Sequence, residues 1–265
     1  MATRQPKTAL RGSDGRLMWL GPSRVFYAGL LGATSQRSLG GHGIYVSPTG
    51  EPLRMRVAGG AWQSGELLAV PARVSHQVAT GHPMVLNLLL ESESVDAARL
   101  PPFLRHCGPI EAPAFAQRVR DGHAQLLALA GREGPAGFPD FDELFFGGAL
   151  PPPALDARIR EAIARINADP AAPSPAEACA AAVGLSFSRF LHLFKAQTGV
   201  TFRAFRAWKR ARSLLYHVDQ PTSLTDIALD TGYPDSTHFS HSIRQVYGLR
   251  PSDILAGSRR LAVHR

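Results

Sequence analysis

A pattern that occurs twice constrains this chain more than any other feature. Ala180-x3-Gly184-Leu185 returns 48 residues later as Ala228-x3-Gly232-Tyr233, and Phe190 returns 49 residues later as Phe239. In each copy a small alanine lets two helices cross closely and a glycine takes the left-handed residue of a tight turn. A polar residue, Ser186 or Asp235, then starts the next helix. Helix, tight turn and second helix make a helix-turn-helix. Between the copies the chain reads as one helix, capped by Thr201 and running to Val218, with Phe202, Phe205, Ala211, Leu214 and Leu215 inward. At about 1.5 Å per residue it spans about 27 Å, comparable with the roughly 34–36 Å of one turn of B-DNA.

The charge points the same way. Of the formal net charge of +8, residues 1–153 hold +2 and residues 154–265 hold +6. Between Ser186 and Val218 lie seven basic residues, Arg189, Lys195, Arg203, Arg206, Lys209, Arg210 and Arg212, and no acidic one. Interleaved with Phe190, Phe194, Phe202, Phe205 and Trp208, they form a block that attracts a polyanion. Two lone cysteines, Cys107 and Cys179, exclude a disulfide framework and a metal knuckle. The longest apolar run, around Met84 to Leu90, is too short to span a bilayer. Charges scattered through the first twenty residues leave no apolar signal segment, so a cytoplasmic chain is expected.

At 265 residues the chain has room for about two domains. Pro52 to Ala58 alternates, with Leu53, Met55 and Val57 on one face and Arg54 and Arg56 on the other. Short strands are also predicted at Val25–Leu31, Ile44–Ser47, Leu67–Val70 and Met84–Leu90, punctuated by Gly and Pro at spacings typical of a sandwich or small barrel. A helix follows from about Pro113, with Phe115, Val119, Leu126 and Leu127 on one face and a stop at Gly131. Its apolar face suggests a homodimer seam at Leu126 and Leu127. Residues 131–153 read as a linker holding one short helix, its apolar knot (Phe138, Phe141, Leu144, Phe145, Phe146) docked on a domain. Beyond Pro153 all is helical: Leu155, Ile159, Ala162, Ile163 and Ile166 form a stripe, and Ser174-Pro175-Ala176-Glu177 reads as a capping box. The fold class is therefore α+β. Residues 1–111 make a strand-rich domain, 112–153 a helix and linker, and 154–265 an all-α domain with two helix-turn-helix motifs.

At these residues the C-terminal region resembles the DNA-binding domain of AraC-type transcription regulators. The matches are Phe190–Phe194-Lys195–Gly199, Arg206–Arg212-x-Leu214-Leu215 and Ile227-Ala228-x3-Gly232-Tyr233, followed by His238-Phe239-Ser240 and Tyr247-Gly248-x2-Pro251. The resemblance implies seven helices, with two recognition helices entering successive major grooves. It implies that Ser188, Arg189, Leu191 and His192 of the first, and Ser236, Thr237, Ser240 and His241 of the second, read base edges. Lys195, Arg203, Arg206, Lys209, Arg210, Arg212, Arg244 and Arg250 would neutralise phosphates and set the register. The family often has arginine where this chain has His192 and His241, and a neutral imidazole offers one donor and one acceptor instead of a bidentate fork. Ile243 replaces the family's usual aromatic.

The N-terminal half resembles the cupin-like sensor domain that precedes this DNA-binding domain in many regulators, through Gly41-His42, Gly65-Glu66-Leu67-Leu68 and Val70-Pro71-x4-His76. His42 and His76, with Glu51 or Glu66, are weak candidates for metal ligands, but the set is incomplete for a cupin enzyme, so no cofactor is expected. A small-molecule pocket is expected in the barrel interior near Trp62 or Tyr45. The function implied is an effector-sensing, sequence-specific transcription regulator. Its partners would be promoter DNA, RNA polymerase, an unidentified effector and a second copy of the chain. The alternatives are a metal-dependent cupin enzyme, a DNA-repair alkyl transferase with an AraC-type appendage, and a sequence-independent DNA binder.

Overall fold

The computed structural model describes residues 15–130, 139–258 and 261–265. Gly131 and Phe138, singled out above, lie outside them. The first half is built of strands β1 (Leu17–Leu20), β2 (Arg24–Leu30), β3 (Gly41–Val46), β4 (Leu53–Val57), β5 (Gln63–Gly65), β6 (Leu67–Val70), β7 (His76–Ala79), β8 (Met84–Glu91) and β9 (Gly108–Pro109). Helices α1 (Pro113–Ala130) and α2 (Phe141–Phe146) follow. The remaining helices are α3 (Ala157–Ala168), α4 (Ala176–Ala182), α5 (Phe187–Thr198), α6 (Phe202–Arg212), α7 (Leu224–Asp230), α8 (Ser236–Tyr247) and α9 (Pro251–Ser258), and strand β10 (Ala262–His264) ends the chain. No helix among the described residues is long and apolar enough to cross a membrane.

One sheet runs β10-β1-β2-β8-β3-β6-β9 and a smaller one β5-β4-β7. Strand alternation divides the core between them. Tyr45 of β3 faces Leu53, Met55 and Val78 of the small sheet, while Ile44 and Val46 face α1 and α2. The alternation of β4 holds, with Leu53 and Met55 fully buried. The apolar knot docks as expected, since Phe141 and Phe145 pack with Phe26 and Leu126.

Several expectations change. Leu126 is 0% exposed against the large sheet and Leu127 packs beside it, so neither is a free dimer seam; α1 has an internal partner, the sheet face that alternation leaves uncovered. The C-terminal residues do not belong wholly to the helical region, because β10 pairs in parallel with β1, Leu17 opposite Ala262. The capping box is not formed. Pro175 occupies the N-cap with no side-chain bond, and the Ser174 hydroxyl turns back to the Ala172 carbonyl. The long connecting helix is broken after Arg212, where residues Ser213–His217 tighten to a 3-10 turn and the Ser213 hydroxyl bonds the Arg210 carbonyl at 2.7 Å. That change of pitch buries Leu214 among the C-terminal helices and turns Leu215 towards the barrel. Trp62, expected near an interior pocket, lies exposed on the β4–β5 hairpin, where Arg54 and Arg56 stack on its ring.

Candidate nucleic-acid interface

The sequence repeat is a repeat of atoms. In the first unit the Leu185 N–H bonds the Ala180 carbonyl at 2.9 Å, and in the second the Tyr233 N–H bonds the Ala228 carbonyl at 2.8 Å. Gly184 and Gly232 both sit at positive φ, 67° and 77°, where a side chain is strained. Ser186 caps α5 by accepting the Arg189 N–H, and Asp235 caps α8 by accepting those of Thr237 and His238. Those bonds and the His238 ring hold the Asp235 carboxyl below the usual carboxylate range. They also occupy N–H groups that could otherwise meet a phosphate at the start of α8.

Each unit anchors its outer helix by an aromatic wedge. Phe190 and Phe194 pack with Phe202 and Phe205, ring centroids 5.2–5.8 Å apart. Phe239 meets Tyr233 edge-on at 5.4 Å, and Ile243 is fully buried beside it. This fixes the outward faces. Ser188, His192 and Lys195 of α5 are exposed at i, i+4, i+7, and Thr237, His241 and Arg244 of α8 are exposed at the same spacing, each 49 residues on. A hydroxyl, an imidazole and a cation thus recur in order on both helices. Arg189 is exposed as well; Ser236 and Ser240 are half-buried. Leu191, expected outward, is half-buried against the first unit's core.

The expected phosphate ligands divide into two groups. Lys195, Arg203, Arg244 and Arg250 are exposed, and Arg210 is half-buried over the Tyr233 ring. Three others are engaged inside the protein, which corrects their assignment. Arg206 donates to the carbonyls of Ala172 and Ser174, each at 2.8 Å, tying down the segment before α4. Lys209 and Arg212 are 4% and 5% exposed. Lys209 bonds Glu91 at 2.7 Å and pairs with Glu93; Arg212 pairs with Glu91 at 2.5 Å and donates to the Gly21 carbonyl. The Trp208 indole N–H also reaches Glu91, at 2.7 Å. Two acids at the end of β8 therefore hold one face of α6 against the barrel. Burial pushes the Glu93 carboxyl up, and the neighbouring Glu91 adds to it.

The sequence missed this seat. Its one local signal is Glu91-Ser-Glu93 closing an otherwise apolar strand, and the partners lie 118 residues away. Gly40 belongs to the same contact: a Cβ there would stand 2.2 Å from the Trp208 ring.

The metal candidates are not brought together. His76 bonds the Tyr45 hydroxyl at 2.9 Å and the Val74 carbonyl at 2.8 Å, and burial holds its pKa down at about 4. His42 shares the opposite face of β3 with Ile44 and Val46. Among the described residues no three His, Cys, Asp or Glu side chains are grouped to hold a metal ion.

Residues 179–257 match the model of a helix-turn-helix domain family. The chain is 36% identical over 105 residues to the HTH-type transcriptional activator RhaS of Klebsiella pneumoniae (strain 342), covering 38% of this chain and 37% of RhaS. It is 33% identical over 91 residues to the bifunctional transcriptional activator/DNA repair enzyme Ada of Escherichia coli (strain K12), covering 34% of this chain and 26% of Ada. The chain thus spans about a quarter to a little over a third of the length of these curated relatives. A crystal structure of an apo ToxT variant from Vibrio cholerae strain SCE256 shares the fold across both halves, with a TM-score of 0.57 at 12% identity over 89% of this chain and 97% of that one.

Proposed function

We propose that this chain, whose residues 179–257 form an AraC-type helix-turn-helix domain, is a sequence-specific DNA-binding regulator of transcription whose N-terminal domain senses a small-molecule effector. The observation that carries the reading is the duplicated exposed triplet, Ser188–His192–Lys195 and Thr237–His241–Arg244, on two capped helices that share one supporting helix. Side chains with one donor and one acceptor suit base edges in a major groove, and cations half a helix further on suit phosphates. Arg189, Ser236 and Ser240 belong to the base-reading set. Lys195, Arg203, Arg244 and Arg250, with Arg210 behind them, belong to the phosphate set. A second copy of the chain and RNA polymerase are further partners in this reading, and the chain acts without catalysis.

An alkyl-transfer reading, suggested by the likeness to Ada, needs an activated thiolate. Burial instead pushes both thiols up, Cys107 and Cys179 alike, and Cys179 is packed in the first unit's core. No observation favours that reading.

The test is selection of duplexes from a random library by the full chain. A defined consensus is expected. On it, His192→Ala should cost about 1–3 kcal/mol and relax one base pair. Arg203→Gln should weaken all duplexes alike and reduce the salt slope by about one. Equal recovery of all sequences would refute sequence-specific recognition.

A further inference from the structure

The two outer helices, α5 and α8, are both 12 residues long and run from a side-chain cap, Ser186 or Asp235, to a left-handed glycine, Gly199 or Gly248. Aligned at an offset of 49 residues, they agree at a hydroxyl (Ser188, Thr237), an imidazole (His192, His241) and a cation (Lys195, Arg244), all exposed. The turn bonds and the buried phenylalanines match as well, so each trio stands in the same place relative to its own turn. Helices seated alike and carrying the same donors and acceptors favour the same base-edge pattern. One element sets the spacing between them. Phe202 and Phe205 at the start of α6 lie in the first unit's core, and Ala211 near its end lies in the second's.

The alignment breaks at one exposed position, where Arg189 of the first helix meets His238 of the second. The Arg189 side chain is exposed and, among the described residues, no ion pair engages it. Its cap, Ser186, is neutral and accepts only the Arg189 backbone N–H. The His238 ring instead turns back on its own cap, with Nδ1 2.7 Å from Asp235 Oδ2. Asp235 Oδ1 accepts the backbone N–H groups of Thr237 and His238, each at 2.8 Å. An arginine fork fits guanine O6 and N7. A ring tied to a carboxylate has one nitrogen left and a negative charge beside it, which opposes the acceptor edge of guanine.

We infer that this chain selects a tandem duplex site with two like halves on successive major grooves, about 10–10.5 base pairs apart. The base pair under His192 is the same as the one under His241. The first half alone carries a further guanine, read by Arg189. The inference deepens, and rests on, the sequence-specific reading above, since it states which class of duplex the two helices choose.

The experiment is duplex selection from a random library by the full chain and by four variants, each first checked by its melting temperature to be folded. The unaltered chain should return two halves that share a base pair one helical turn apart. His192→Ala should relax that position in the first half, and His241→Ala the same base pair in the second. Arg189→Ala should cut discrimination at one guanine of the first half by about tenfold and leave the second half unchanged. The double variant Asp235→Ser, His238→Arg copies the first unit's cap and reader into the second. Serine still caps the helix, and the second half should gain a guanine at the same distance from its shared base pair as in the first. Halves with no common base pair, His192→Ala and His241→Ala relaxing different base pairs, or a second half unaltered by the folded double variant would each overturn the inference. A consensus would in those cases still uphold sequence-specific binding, so the two readings fail separately. Equal recovery of all sequences would refute both.

Discussion

The two helix-turn-helix units are copies in sequence, but only the second is seated on the barrel. The first unit's core joins α3, α4, α5 and the start of α6 and, among the described residues, contains none from the barrel. The second shares Val246, Tyr247, Ile254 and Leu255 between its own core and the cluster that includes Met18, Val25 and Leu89. The contrast is sharpest at matching glycines. Gly199 and Gly248 both end the outer helix of their unit at φ 72°, yet a Cβ on Gly199 meets nothing, while one on Gly248 would stand 2.5 Å from Ser35 Oγ and 2.6 Å from the Gln36 carbonyl. The Ser38 N–H also bonds the Val246 carbonyl at 3.0 Å. Equal motifs thus carry unequal duties: one unit answers to its own core, and the other also answers to whatever moves the barrel.

The comparison is most severely tested at the paired phenylalanines. Phe190→Ala and Phe239→Ala should each cost about 3–5 kcal/mol. Hydrogen exchange should show the first opening α4–α5 alone, and the second also loosening the 31–39 loop of the barrel. If both variants open the same amides, the units are not mechanically distinct. Glu91→Ala comes next. It leaves Lys209 and Arg212 buried without their shared acid, a loss of about 3–5 kcal/mol, and exchange should rise in α7–α8 before α4–α5.

Acid should act on the barrel itself. The buried His76 ring bonds the Tyr45 hydroxyl and the Val74 carbonyl, and its folded pKa of about 4 lies below its ordinary 6.5. Its contribution is complete above pH 6.5 and is lost as the pH falls towards 4, because the unfolded chain takes the proton first. The loss is on the order of 3 kcal/mol, read as a falling melting temperature that His76→Asn partly flattens. Burial lowers the His42 and His123 pKa values too, so some slope should persist. The smallest effect is expected at Gly199→Ala, about 1–2 kcal/mol for the left-handed residue alone. Gly248→Ala should exceed it, since the loop at Ser35 and Gln36 must also move. Equal melting shifts would mean that the loop yields freely.

Much of the fold was legible because its determinants are local. Ser186, Thr201 and Asp235 each cap the helix they were expected to start, bonding an N–H two or three residues on, and Ser223 caps α7 in the same way. Gly184, Gly199, Gly232 and Gly248 each take the left-handed turn. The strand alternation of Leu53 and Met55 needed no more than a period of two. Failures began where a local pattern had a distant competitor. Ser174 looked like a cap, but Arg206 holds its carbonyl, and Leu126 looked like a seam until the sheet covered it.

The site divides along the same line. The family resemblance legible in the sequence implied that two capped helices present Ser188, Arg189, His192, Thr237 and His241 outward, and the buried Phe190 and Phe239 hold that phase, although Leu191 of the same implied set packs inward. Tertiary structure decided which cations remain free for phosphate, since Lys209 and Arg212 meet acids about 118 residues away and no local rule ranks one basic residue of a helix above another. It also decided that the second unit rests on the barrel, because Met18, Val25 and Leu89 meet Tyr247 and Ile254 only where the faces of two separately coded regions come together.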